Sequence, residues 1–561
     1  MNNRAMNNGR RGFGLTSLDL PLALFLLSAA LGVWPAYDRS LCRDTLIALI
    51  AGGLLYLLLS RLAVSHRRWR AAAALIVSTG VLLALYFVTQ YARLGYPEKV
   101  AAIGRLGALI GEIVPQIGAW APMANSVATF LEGVLFLVVA LAWTARRWVW
   151  RIGGAIGAGL IALALLMSAS RGAWLAVLVT SALWLALHWR PARLVVAIGA
   201  LLALGLVAYV IVQGDITVMD DIPVVNRTLA PLFIRPDRLD VYRNSVYLIQ
   251  DFPLTGIGLG EQFAMVHSMY AKLIRHPFLT YSHNLYLEVW LEQGLLGAVA
   301  LLWLMAALYR DARTRARPGS DLLYQSTWLG LTAIFIHGIT DARLYDDLWC
   351  WLPFFALLGL NAAILRRRAS MRLLRRRWVF PVVAVGVFLL AVAAGLHPLS
   401  ATWRANLGCV LQARGDLLTS LDEGQKTALR QQAADHYRRA IQIAPHDRTA
   451  QQRLGLILVD EARFQDGVAH LEMAWQADPD NTTTRKGLGL AYVWVGELEK
   501  ALPLLQDVPD IVYELNIWGG WRFTQGQVEQ SLNAYRMSLL LEPDQPKVRE
   551  RIDQLEEESA P

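Results

Sequence analysis

Apolar residues in this chain run in long blocks rather than alternating with polar ones. Between residues 17 and 396 there are eleven such blocks, at 17–36, 43–60, 71–91, 122–144, 152–170, 172–188, 194–213, 284–309, 322–340, 347–365 and 378–396. A helix needs ~20 residues to cross a hydrocarbon core of ~30 Å, so each block reads as a transmembrane helix. The stretch "AAIGRLGALIGEIVPQIGAW" within 92–121 has an amphipathic character and predicts a helix lying at the interface, which leaves the total at about 11 to 12. The first block has a long basic flank and no small-residue cleavage site after it, so it reads as a retained anchor. Beyond residue 400 the blocks give way to a periodic mixture of apolar and charged residues. The pattern predicts an all-α chain: a polytopic helical membrane region over 1–400 and a second helical region over 401–561.

Composition sharpens this division. With 55% hydrophobic and 17% charged residues among 561 and a mean hydropathy of +0.38, the chain is too apolar for an ordinary soluble globule. The formal charge of +9 does not point to nucleic acid, because residues 1–400 carry 36 Lys and Arg against 20 Asp and Glu, a balance of +16, while 401–561 carry 17 against 24, a balance of −7. The basic excess belongs to short loops between apolar blocks, where arginine records topology. Segments 1–16, 61–70, 145–151, 189–193, 310–321 and 366–377 hold 23 of the 36 basic residues. Placing them in the cytoplasm puts the N-terminus inside. The long loop 214–283 and the C-terminal region then lie outside. Cys42, Cys350 and Cys409 are far apart and odd in number, so neither a disulfide framework nor a metal knuckle is indicated.

The C-terminal region repeats itself. Pro445 and Pro479, Gly455 and Gly489, and Pro509 and Pro543 are each 34 residues apart, with Gly519 in the unit between. This spacing resembles the tetratricopeptide repeat, whose helical hairpins stack into an α-solenoid and bind peptides or proteins in a groove. An unrelated helical bundle is the alternative. A protein partner on the repeats is the expectation.

One polar cluster interrupts the apolar pattern. In "SHNLYLEVWLEQGLLG", residues 282–297, Ser282 or Asn284 can cap a helix that starts at the membrane boundary. His283 then stands at the positive end of that helix, which attracts anions and disfavours a protonated imidazole. A neutral histidine there suits a general base for a hydroxyl nucleophile. Counting helical turns puts Gly294 on the face of His283, and Gly297 extends a small-residue strip for close helix packing. The acids Glu288 and Glu292 lie below His283, with hydrogen bonding as the first expectation. In the loop before it, Arg235, Arg238 and Arg243 accompany an amphipathic pattern in which Arg238 and Tyr242 share a face, and Gly256, Gly258 and Gly260 predict a tight turn after Pro253. Arg171, in "MSASRGAWL", lies between two apolar blocks and is costly without an anionic partner.

Taken together, these residues carry a family resemblance. His283-Asn284, then nine residues, Gly294, two residues and Gly297 is similar to the signature of the O-antigen ligase superfamily, which includes O-antigen polymerases and protein O-oligosaccharyltransferases. "SASRGAWL", "RLDVYRNSVYLIQDFPLTGIGLGEQF" and, more weakly, "APMANSVATFLE" resemble other recurring segments, in order over about 120–360. Tyr242 departs from the usual tryptophan. The resemblance implies a bacterial inner-membrane, metal-independent, inverting transferase with no cofactor, moving a glycan from an undecaprenyl diphosphate carrier to a hydroxyl of a lipid core, a growing glycan or a protein. It implies His283 as base and Arg238 and Arg171 on the diphosphate, with Arg235, Tyr242, Arg243 and Asn284 contributing to the substrate site. A membrane-anchored scaffold acting through the repeats, or a polysaccharide transporter, are the competing readings.

Overall fold

The computed structural model describes residues 15–95, 101–189, 191–199, 236–274, 276–277, 279–315, 321–368 and 398–559. These form helices and connecting turns, with no strand among the described residues. The N-terminal part contains α1 (Asp19–Gly32), α2 (Arg43–Leu62), α3 (His66–Gln90), α4 (Ala101–Ile113), α5 (Ala124–Trp143), α6 (Trp148–Met167) and α7 (Arg171–His188). After the loop come α8 (Pro236–Asp251), α9 (Phe263–Tyr270), α10 (Leu285–Arg315), α11 (Leu322–His337), α12 (Arg343–Asp346) and α13 (Trp351–Arg368). The C-terminal part is α14 (Pro398–Leu417), α15 (Glu423–Ile443), α16 (Arg448–Asp460), α17 (Phe464–Ala477), α18 (Thr482–Trp494), α19 (Leu498–Leu505), α20 (Ile511–Thr524), α21 (Val528–Leu541) and α22 (Pro546–Ser559).

Seven helices among the described residues are long and apolar enough to span a membrane: Arg39–Leu62, His66–Arg93, Ala124–Trp143, Trp148–Met167, Arg171–His188, Leu285–Ala312 and Leu348–Arg367. The chain is a multi-pass membrane protein. The blocks predicted at 17–36 and 322–340 form the shorter helices α1, of 14 residues, and α11, of 16. The block at 378–396, and most of that at 194–213, lie outside the described residues. Leu54, Leu75, Leu82 and Leu178 stand exposed on the bundle, the surface that lipid tails would cover. Exposed tryptophans mark both ends: Trp34 and Trp120 at one, Trp143, Trp148, Trp150 and Trp189 at the other. The second end also gathers arginines, where Arg70 donates to the Thr144 carbonyl at 3.0 Å and Arg366 grips both carboxylate oxygens of Asp19 at 2.8 and 2.9 Å.

The helix α10 is not continuous. Gly294 has φ 67° and ψ −167°, outside helical geometry, so it does not share a helical face with His283, and the count of turns across it does not hold. A break in a helix frees backbone groups that must find partners. The turn after Pro253 supplies them: Ile257 N donates to Leu291 O at 2.6 Å and Leu295 N donates to Leu254 O at 3.3 Å. The predicted strip of small residues thus admits a loop rather than a helix. A β-carbon on Gly294 would lie 2.3 Å from Leu254 O, while one on Gly297 would meet the Gln293 side chain of its own helix. The same turn ties in α1, since Leu259 N donates to Gly32 O at 2.9 Å and Gly260 N to Glu292 Oε2 at 2.9 Å.

In the C-terminal part, antiparallel helix pairs stack in sequence. A glycine on the first helix of a pair lets it approach a large side chain sixteen residues later: an added β-carbon would come within 2.8 Å of Leu471 at Gly455, 2.6 Å of Leu505 at Gly489 and 2.9 Å of Tyr535 at Gly519. That recurring contact is the physical content of the repeat. The first pairs also enclose part of the N-terminal chain, because Leu248, Phe252, Phe263, Val266 and Tyr270 share one apolar core with Ala405, Val410, Tyr437 and Leu454.

Substituting Gly294→Ala places a β-carbon in a backbone region that is almost glycine-only, and is expected to destabilise by about 3 kcal/mol or more. The unfolding temperature of detergent-solubilised protein measures this. Gly153→Ala, where a β-carbon meets open space, is the control; equal stability of the two variants would contradict the inserted-loop account.

Candidate functional site

Asn284 starts α10. Its Oδ1 accepts from Tyr286 N at 3.0 Å and Leu287 N at 3.2 Å, which satisfies donors that have no partner within the helix. Its Nδ2 donates to Ile339 O at 2.9 Å, and Leu285 N donates to Gly338 O at 2.7 Å, so the cap is stitched to the turn that follows α11. Ser282 braces the turn from within, its N–H donating to Glu288 Oε2 at 2.6 Å and its hydroxyl to Asn284 O at 3.0 Å. Between them His283 has φ +55°, a left-handed backbone that costs an L-residue about 1–2 kcal/mol. The Tyr242 hydroxyl holds this turn, lying 3.1 Å from the carbonyl oxygen of His283 and 3.3 Å from that of Ile339.

The imidazole that results faces a carboxylate. His283 Nδ1 lies 3.9 Å from Asp341 Oδ1, farther than a direct hydrogen bond, and the ring packs at 4.3 Å on Tyr281. Asp341 is buried; it accepts from Asn125 Nδ2 at 2.9 Å and Arg343 Nε at 3.4 Å. Burial pushes its carboxyl up, but the His283 imidazole and the Arg343 guanidinium beside it outweigh that and hold it well below the ordinary carboxylate range. Arg343 also pairs with Asp346 and lies over the Tyr281 ring at 5.0 Å. Just beneath, buried His337 meets Glu132 Oε1 at 3.1 Å and Thr129 Oγ1 at 3.3 Å through Nδ1, and Ser170 Oγ at 3.4 Å through Nε2.

Two of the predicted arginines join this cluster. Arg238 and Tyr242 lie on one face of α8, and Arg238 Nη1 donates to Thr340 O, one residue before Asp341. Arg171 opens α7 with its side chain exposed and without a hydrogen bond or ion pair among the described residues. Its neighbour Gly172 packs so tightly that a β-carbon would lie 2.5 Å from Thr340 Oγ1, which puts Arg171 at the rim of the same turn. Arg243 is not part of the cluster; it points elsewhere on α8 and faces Asp240 at 3.9 Å, both half-exposed. Arg235 lies outside the described residues.

Asp341, Asn125, Arg343, His337 and Glu132 were not foreseen. The signal for most of them is "HGITDARLYDD" at 337–347, a dense charged run directly after an apolar block. Glu132 is a single acid within an apolar helix, which is costly and so marks a site. Chemically, the cluster presents an imidazole oriented by a carboxylate, 20% exposed on its side chain, flanked by guanidinium groups. That set can withdraw a proton and neutralise an anion within one small region.

Residues 156–302 match the family model described as O-antigen ligase, a stretch that contains Arg171, Arg238, Tyr242, His283, Gly294 and Gly297. Residues 458–514 match the tetratricopeptide repeat. The O-antigen ligase of Salmonella typhimurium is 31% identical over 155 residues, covering 25% of this chain and 35% of that protein. The chain therefore matches about a third of the length of this curated relative.

Because the folded Asp341 carboxyl is depressed, its charge contributes stability fully above the unfolded value of about 3.9 and loses it as pH falls toward the folded value. The gap in unfolding temperature between the natural protein and Asp341→Asn is expected to stay constant from about pH 7 to pH 5 and to close below about pH 4. A gap unchanged at pH 3 would show that Asp341 does not carry this charge coupling.

Proposed function

We propose that this chain is an integral-membrane glycan transferase of the O-antigen ligase type, taking its glycan from an undecaprenyl diphosphate carrier and passing it to an acceptor hydroxyl. The observation that carries the reading is the convergence of His283, Asp341, Arg238 and Arg171 on the turn at 338–341. This turn lies at the end of the bundle away from the arginine-rich loops. Arginine-rich ends remain in the cytoplasm, which supports an extracytoplasmic site, extracytoplasmic repeats and a home in a bacterial inner membrane. The domain division follows the same line, with a membrane transferase region over 1–400 and a repeat region over 401–561.

In the proposed reaction the acceptor oxygen attacks the anomeric carbon as the bond from that carbon to the diphosphate oxygen breaks. The diphosphate leaves with the electron pair, and the proton of the acceptor hydroxyl passes to His283. Asp341 opposite Nδ1 favours the tautomer that leaves Nε2 free to accept this proton and stabilises the imidazolium that forms. Arg171 and Arg238 neutralise charge building on the diphosphate, for which the planar guanidinium is well shaped. A single displacement inverts the anomeric centre, and arginines supply the positive charge without a metal. Asn284 and Tyr242 serve through the backbone by fixing the His283 turn. The name of the Salmonella relative, O-antigen ligase, supports ligation over polymerisation.

Transfer from a purified undecaprenyl diphosphate glycan in the presence of EDTA tests this. His283→Ala is expected to lose about 10²–10⁴-fold in rate, and Arg238→Ala and Arg171→Ala about 10²-fold each, with Arg243→Ala close to the natural protein. Full activity of His283→Ala would remove the base role, and absence of transfer by the natural protein across lipid-core, glycan and protein acceptors would favour the scaffold reading. For topology, a single exposed cysteine introduced at Glu261 is expected to react with an impermeant maleimide from outside, and one at Arg147 only after permeabilisation.

A further inference from the structure

Repeat grooves ordinarily hold a partner, yet the first repeats here hold this chain's own loop. Arg453 on α16 is buried at 1% exposure against Asp251 at 4%. Its Nε lies 3.1 Å from Asp251 Oδ2, its Nη2 reaches the same oxygen, and its guanidinium stacks 4.0 Å from the Tyr270 ring. Arg448 Nη1 and Thr449 Oγ1 reach the other oxygen at 2.7 and 2.9 Å. On α14, Asn406 Oδ1 accepts from Leu254 N at 3.0 Å and Thr255 N at 3.2 Å, while Tyr270 donates to Asp416 at 2.8 Å. Farther along, Thr483 donates to Ala271 O and Lys486 to Lys272 O, both at 2.9 Å.

Asp251 is the last residue of α8, the end of a helix where a carboxylate is disfavoured by the helix dipole. Burial without a counter-charge would add a larger penalty. The arginines of α16 are what make this position tenable. Arg238 and Tyr242 belong to the same rigid helix, with Arg238 thirteen residues from Asp251, about 20 Å of helix. Helix α8 is therefore held at both ends: by the repeats at Asp251, and by the carbonyls of His283, Ile339 and Thr340 at the site. Only a short stretch separates Asp251 from Gly256, whose turn enters the break in α10.

We propose that the repeat array is a positioning clamp built into the enzyme, in which Arg453 and Arg448 grip Asp251 and Asn406 holds the following turn, so that α8 presents Arg238 to the donor diphosphate. Arg453, Arg448, Asp251 and Asn406 are positioning residues and touch no substrate. The proposal rests on the reading of Arg238 given above. It makes the first repeats part of the transferase rather than a free platform for a partner.

The test uses the full-length protein in lipid nanodiscs, with amide hydrogen exchange and donor kinetics measured on the natural protein, Arg453→Ala, Arg453→Lys and Asn406→Ala. In Arg453→Ala, exchange across 238–251 is expected to rise at least about tenfold, since loss of one partner of a buried pair loosens its surroundings. Exchange across 511–541 is expected to stay unchanged, which separates undocking from unfolding of the repeats. The donor kcat/KM is expected to fall about tenfold, because α8 carries both Arg238 and the Tyr242 that holds the His283 turn. Arg453→Lys keeps the charge and is expected to recover part of both effects. Asn406→Ala is expected to loosen 238–256 independently of the ion pair. Natural protection of 238–251 in both Arg453→Ala and Asn406→Ala would overturn the clamp, as would an unchanged donor kcat/KM in Arg453→Ala. If the natural protein transfers no glycan, the catalytic reading fails, and the exchange results alone decide whether the repeats hold α8.

Discussion

The break in α10 at Gly294 is the constraint on which the site end of the molecule depends. A helix in an apolar medium has no water to satisfy a missing hydrogen bond, so interrupting one commits another backbone segment to fill the gap. Here that segment is the turn 254–260, which takes up Leu291 O and Leu295 N and also bonds Gly32 and Glu292. Because the turn directly follows α8, its insertion fixes where α8 ends. The position of α8 in turn sets where Arg238 and Tyr242 meet the turn after α11. The glycines at 256, 258, 260 and 294 all have positive φ, and at each an added β-carbon would fall within 2.4 Å of backbone, so the insertion works only with hydrogen at these positions.

The second organising element is charge placed in apolar surroundings. Asp341, Arg343 and Asp346 form one connected group, and Glu132 pairs with His337 a short distance away. Isolated, each would be strongly disfavoured; paired, they create a small polar region with defined geometry. His283 reaches into that region with its side chain partly exposed. Its left-handed backbone is maintained by a tyrosine from α8 and an asparagine bonded to the next turn, so its orientation is a product of three separate segments.

The repeats add a third layer. Their internal packing follows a local rule, glycine opposite a large side chain sixteen residues on. Their apolar core nonetheless continues into α8 and α9, and Asp251 is shared between them. The array is thus joined to the helix that carries the site's arginine.

Much of this was written in local patterns. Block length gave the transmembrane helices, the 34-residue interval gave the repeats, and the residue types around His283 indicated a capped helix with an imidazole at its mouth; each depends on neighbours within a few helical turns, which is what sequence displays. The helical count through Gly294 failed because a glycine carries no mark of whether it stays helical, and only the approach of the 254–256 backbone decides it. Glu132 was missed because His337, the partner that justifies its burial, is more than 200 residues away, and Asp341 because the groups it faces, His283 and Asn125, come from other segments of the chain. The family resemblance set Arg238 and Arg171 apart from Arg243, and the surface each one reaches gives that separation a physical basis. Sequence alone determined the helices and the chemical types available at one end of them; tertiary structure decided which of those groups meet, because the backbone break and the buried ion pairs that bring them together are contacts between segments remote along the chain.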